Sequence, residues 1–121
     1  MILGKIKNNQ LKLAVIGLGY VGLPLAVEFG RKFDTIGFDI KSDRLKQLRE
    51  GTDITRETSS ADLKQAQFLQ YTNDPEKLKD RDIFIVTVPT PVDQYNRPDL
   101  TPLHKASETV GKMMKTGAIV I

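Results

Sequence analysis

The chain has 121 residues, of which 40% are hydrophobic and 27% charged, enough for one domain with a core of its own and the composition of an ordinary globular protein. With no cysteine and His104 as the one histidine, disulfides and a thiol nucleophile are excluded and a zinc site lacks its usual ligands. The net charge of +3 is small, and no apolar run of eighteen residues, charged leader or lipidation pattern points to a membrane, so a cytoplasmic protein is expected.

Residues 1–10 read as a solvated basic tail, with the domain proper at 11–121. Lys5, Lys7 and Lys12 together equal the whole charge excess, and no aromatic residues interleave with them, so nucleic acid is not an expected partner. From residue 11, LKLAVI is an apolar strand that runs into a GxGxxG turn at Gly17, Gly19 and Gly22. Gly17 lets the chain leave the strand through backbone angles that a Cβ forbids, Gly19 lets a phosphate approach the main chain, and Gly22 lets the next helix pack closely. That helix opens near Pro24, where a missing N–H costs little, and its unpaired N–H groups and dipole suit a pyrophosphate.

Residues 35–40, TIGFDI, form a second strand closing on Asp39, 22 positions beyond Gly17. A carboxylate there accepts hydrogen bonds from an adenosine ribose and repels a 2′-phosphate, which favours NAD over NADP. Lys41 and Arg44 weaken that exclusion, although both also read as solvated residues opening the next helix. That helix covers 42–50, with Ser42 as N-cap and Gly51 as its stop. Ser59 and Asp62 suggest a capping box for a short helix to about residue 66. Residues 68–72 form a third strand, and Asp74 with Pro75 caps a helix of one or two turns. DIFIVTV, 82–88, is a buried parallel strand ending at Val88. Thr101 and Pro102 start a capped helix to about residue 115, ended by Gly117. GAIVI, 117–121, opens a fifth strand.

Strands alternating with helices predict an α/β, Rossmann-type doubly wound parallel sheet, truncated within or just after the fifth strand. A natural domain seldom stops inside a buried strand, so a fragment of a larger multidomain protein is expected. In the order 3-2-1-4-5, the ligand crevice lies between strands one and four, so VPTP at 88–91 faces the glycine turn. Its prolines stiffen the loop, and Thr90 offers a hydroxyl and an N–H to a cofactor. A rigid loop without ligand contact is the plainer alternative.

GLGYVGLPLA at 17–26, GFDI at 37–40, VPTP at 88–91 and PDLTP at 98–102 together resemble the UDP-glucose/GDP-mannose dehydrogenase family, over nearly all of the chain from Leu11. VPTPVD…PDLTPL with ETSSADLKQA at 57–66 is similar to the bacterial branch acting on UDP-N-acetylhexosamines in capsule and O-antigen synthesis, UDP-N-acetylglucosamine above all. The resemblance implies oxidation of a C6 alcohol to a carboxylate by two hydride transfers to NAD, through a thioester on a cysteine, in a homo-oligomer. It also implies that Gly17, Gly19, Tyr20, Val21 and Gly22 form the pyrophosphate loop, that Asp39 binds the ribose with Arg44 beside it, and that Pro89 and Thr90 line the nicotinamide side. Glu57 falls at a family-like position, but a solvated loop acid is the simpler account, and His104 reads as a surface residue. The family's cysteine, lysine and asparagine match nothing in these 121 residues, so no catalytic residue is assigned and the chain alone is expected to be inactive. The rivals are a UDP-glucose 6-dehydrogenase, another NAD(P)-linked dehydrogenase, or a non-catalytic NAD-sensing module.

Overall fold

The computed structural model describes residues 2–8, 10–51 and 59–121. Five strands, β1 (Lys12–Ile16), β2 (Asp34–Phe38), β3 (Leu69–Thr72), β4 (Ile83–Val86) and β5 (Ile119–Val120), form one sheet in the order β3-β2-β1-β4-β5. Every pairing is parallel, and β1 is central, with Ile16 beside Phe38 on one flank and Val86 on the other. The helices are α1 (Ile2–Lys7), α2 (Gly22–Gly30), α3 (Ser42–Arg49), α4 (Ser60–Gln65) and α5 (Thr101–Met113), with a 3-10 turn at Pro75–Leu78.

Side chains alternate across a strand, so the apolar run of β1 feeds two cores. Val15 joins Leu23, Ala26 and Val27 of α2, Leu45 and Leu48 of α3, and Leu63 of α4 on one face. Ala14 and Ile16 join Phe84, Leu78, Ala106 and Val110 on the other. The sheet is therefore doubly wound, as the alternation of strands and helices predicts.

Several boundaries differ from the expectation. Residues 2–7 are helical where a tail was expected, and Lys5 is docked, its Nζ 2.7 Å from Asp82 Oδ1. Ser42 is the first helical residue of α3 and does not cap it; Lys41 occupies the cap position, and the Ser42 hydroxyl accepts from Asn73 Nδ2 at 3.3 Å. Thr101 likewise begins α5 without capping it, because the Asp99 carboxylate accepts from the Thr101 N–H at 3.0 Å. The strand expected to reach Val88 ends at Val86. Ser59 and Asp74 cap as expected, accepting from the N–H groups of Asp62 and Glu76.

Candidate cofactor site

The carboxyl ends of β1, β2 and β4 meet at the glycine turn. Gly17 is buried with φ +96°, and a Cβ there would lie 3.0 Å from the Thr87 carbonyl oxygen. A Cβ on Gly22 would collide with the Gly17 carbonyl oxygen and the Thr87 hydroxyl. The close packing expected at Gly22 is thus against the turn itself and the end of β4. At Gly19 nothing lies within 4 Å of a Cβ position, so the main chain is open to an approaching group.

Both residues that lead into this opening have their backbone N–H and carbonyl pinned. The Gly17 N–H donates to Phe38 O at 2.8 Å, and the Gly17 carbonyl accepts from the Thr87 hydroxyl at 2.8 Å. The Leu18 N–H donates to Asp39 Oδ2 at 3.0 Å, and Arg44 Nε donates to the Leu18 carbonyl at 2.8 Å. Beyond Leu18 the pattern changes. Among the described residues no acceptor meets the N–H groups of Gly19, Tyr20, Val21 or Gly22, which lead into the first turn of α2. Tyr20 and Val21 themselves are exposed. Free N–H groups at the amino end of a nine-residue helix, with its dipole behind them, favour an anion.

Asp39 lies half-buried just past β2, and its second oxygen accepts from the Lys41 N–H at 2.9 Å. Arg44 reaches back from α3 to the turn, so its Nε is committed to the loop. Pro89 and Thr90 are exposed just beyond β4, in a stretch whose Val88 Cα lies 3.1 Å from a Cβ position on Gly17. The loop then closes on itself. Val92 bridges Pro98, and the Asp93 carboxylate accepts from the N–H groups of Tyr95 and Arg97 and from Arg97 Nε. These bonds, with that from the Arg97 N–H foremost, hold Asp93 below the usual carboxylate range.

The structure therefore brings Gly17, Gly19, Tyr20, Val21, Gly22, Asp39 and Arg44 into one site, with Pro89 and Thr90 at its edge. Glu57 lies outside the described residues, and His104 is exposed in the first turn of α5. Thr87 was missed. Its signal is one hydroxyl inside the otherwise apolar run IFIVTV, immediately before VPTP. A cavity of about 500 Å³ between α3, α4 and β3, bordered by Leu48, Arg49, Leu63 and Tyr71, contains none of these residues.

An anion-facing turn at the point where a doubly wound sheet reverses strand order places the chain among the dinucleotide-binding domains. The chain belongs to the UDP-glucose/GDP-mannose dehydrogenase family, whose NAD binding domain its residues 11–121 match. It is 57% identical over 113 residues to the UDP-N-acetyl-D-glucosamine 6-dehydrogenase of Pseudomonas aeruginosa, a match covering 93% of this chain and 27% of that protein. The enzyme of the same name from Salmonella typhi is 50% identical over 113 residues, with the same coverage of 93% and 27%. The solved UDP-D-ManNAc dehydrogenase of Pyrococcus horikoshii superposes with a TM-score of 0.83 at 36% identity, covering 91% of this chain and 27% of that one. The chain thus spans about a quarter of the length of these curated relatives. NAD is the cofactor of the matched domain, and the residues present fit it: open backbone at Gly19, unpaired N–H groups to Gly22, and a carboxylate at the end of β2. No helix among the described residues is long and apolar enough to cross a membrane.

Proposed function

We propose that this chain is the NAD-holding part of a cytoplasmic, homo-oligomeric UDP-N-acetylhexosamine 6-dehydrogenase of surface-polysaccharide synthesis. When bound, NAD would supply the hydride acceptor, one molecule for each of two successive oxidations, alcohol to aldehyde and then aldehyde to carboxylate, the second taking its added oxygen from water by hydrolysis of the thioester. The chain's own residues bind and orient. The N–H groups of Gly19, Tyr20, Val21 and Gly22 take the pyrophosphate, and Asp39 takes the adenosine ribose with Arg44 beside it. Pro89 and Thr90 border the nicotinamide side. The supporting observation is the division of the turn, with Gly17 and Leu18 saturated by protein partners and the next four N–H groups left for a ligand.

Asp39 carries the cofactor preference. A 2′-phosphate would face its carboxylate; of the two nearby cations, Arg44 has its Nε already bonded to the Leu18 carbonyl and Lys41 is exposed. The 121-residue chain is expected to bind NAD more tightly than NADP in isothermal calorimetry. It is also expected to sustain no NADH production from NAD and UDP-N-acetylglucosamine, since the family's lysine and asparagine, and not only the cysteine that carries the thioester, match nothing in its 121 residues. Tighter NADP binding would overturn the cofactor reading, and sustained NADH production would overturn the division of labour.

A further inference from the structure

Thr87 touches two of the three glycines of the turn. Its N–H donates to Ile16 O at 2.8 Å, continuing the ladder between β1 and β4. Its hydroxyl lies 2.8 Å from Gly17 O and 3.1 Å from Ile16 O, and it occupies the space that a Cβ on Gly22 would need. The positive φ of Gly17 marks where the chain turns away from the strand direction. A carbonyl on a buried residue needs a donor, and among the described residues the Thr87 hydroxyl is the one that Gly17 O has.

We propose that Thr87 is a positioning residue of the cofactor site: its hydroxyl fixes the Gly17 peptide and so aims the N–H groups of Gly19 to Gly22 at the pyrophosphate. Asp39 holds the N–H end of this same Gly17–Leu18 peptide from β2, Arg44 holds the next carbonyl, that of Leu18, from α3, and Thr87 supplies the hold on the carbonyl end from β4. Without it, Gly17 O is left unsatisfied and the Gly17–Leu18 peptide is held at its N–H end alone, by Asp39, so that a tilt of its plane changes the direction in which the following four N–H groups point. The inference rests on the nucleotide reading given above.

The test compares Thr87→Val, which keeps the shape and removes the hydroxyl, with Thr87→Ser, which keeps the hydroxyl. NAD, ADP and adenosine are titrated against each full 121-residue chain, the last by NMR. In Thr87→Val, affinity for NAD and ADP is expected to fall about tenfold, the scale of one hydrogen bond to a charged phosphate lost when the N–H groups are misdirected. Adenosine, which carries no phosphate, should bind within about twofold of the parent, as one hydrogen bond remote from it contributes little. Thr87→Ser should restore NAD and ADP binding. Should Thr87→Val fail to fold, Thr87→Ala, which removes the hydroxyl without adding a methyl beside Gly22, gives the same comparison. Unchanged ADP affinity without the hydroxyl would overturn the role of Thr87 alone. So would equal losses for ADP and adenosine, which would make the hydroxyl a general support of the fold. A parent chain that binds neither NAD nor ADP would overturn the nucleotide reading itself, and this inference with it.

Discussion

The carboxylate of Asp39 divides its oxygens between the Leu18 N–H and the Lys41 N–H, so one side chain braces the glycine turn and the entry to α3. Its position in the sequence carries the ribose expectation, but the brace depends on where the turn folds back, which spacing alone does not reveal. Thr87 was hidden for a related reason. In a run of strand-forming residues a threonine reads as one more β-branched side chain, and only the placement of β1 beside β4 gives its hydroxyl two carbonyls to meet. Replacing Asp39 with Asn keeps the shape and removes the charge. In paired titrations of Asp39→Asn, the NAD-over-NADP affinity ratio is expected to shrink about tenfold, the scale of one charge-assisted contact. Unchanged selectivity would show that the carboxylate does not face the 2′ position.

Among the elements, those with local signals were legible. Ser59 and Asp74 cap because each sits just ahead of a helical turn with a free N–H two or three residues on. Ser59→Ala should therefore cost roughly 1 kcal/mol, read as a lower midpoint in urea unfolding with an unchanged slope. Ser42 had the same signal and does not cap, since a tertiary contact with Asn73 claims its hydroxyl. Helix α1 had no signal. Six residues are too few to hold a helix by propensity, and α1 is fixed from outside by the ion pair of Lys5 with Asp82. Strand β4 stops short of its apolar run because its partner β1 ends at Ile16, opposite Val86, where Gly17 turns the chain away from the strand direction. The elements that could be read are those that local chemistry decides, and those that could not depend on residues 31 to 77 positions away.

At the scale of the whole molecule, the two ends of the sheet are specialised. The carboxyl end carries the open N–H groups, while the amino end is locked by buried charge. There Arg81 reaches past β1 to Asp34 at the start of β2, with Nη1 2.8 Å from Asp34 Oδ1. Next to it, Asp82 is 2% exposed and joins four segments. Oδ1 meets Lys5 of α1 at 2.7 Å and Lys115, after α5, at 3.1 Å; Oδ2 accepts from the N–H of Lys12 at the start of β1 at 2.9 Å; and its carbonyl accepts from Ile119 of β5. Burial alone would push the Asp82 carboxyl up, but the bonds from Lys5, Lys12 and Lys115 outweigh it and hold the group at about 2, against 3.8 unperturbed. The same bond with Asp82 raises Lys5. Because the folded-state value of Asp82 is depressed, its contribution is fully present above about pH 4 and is lost as pH falls towards 2. That shift corresponds to roughly 2 kcal/mol. Asp82→Asn should therefore lower stability by about that amount at pH 7, and by progressively less between pH 4 and 2. Urea unfolding of both proteins across this range measures the difference, and a gap that stays constant down to pH 2 would show that the charge of Asp82 does not hold the amino end together.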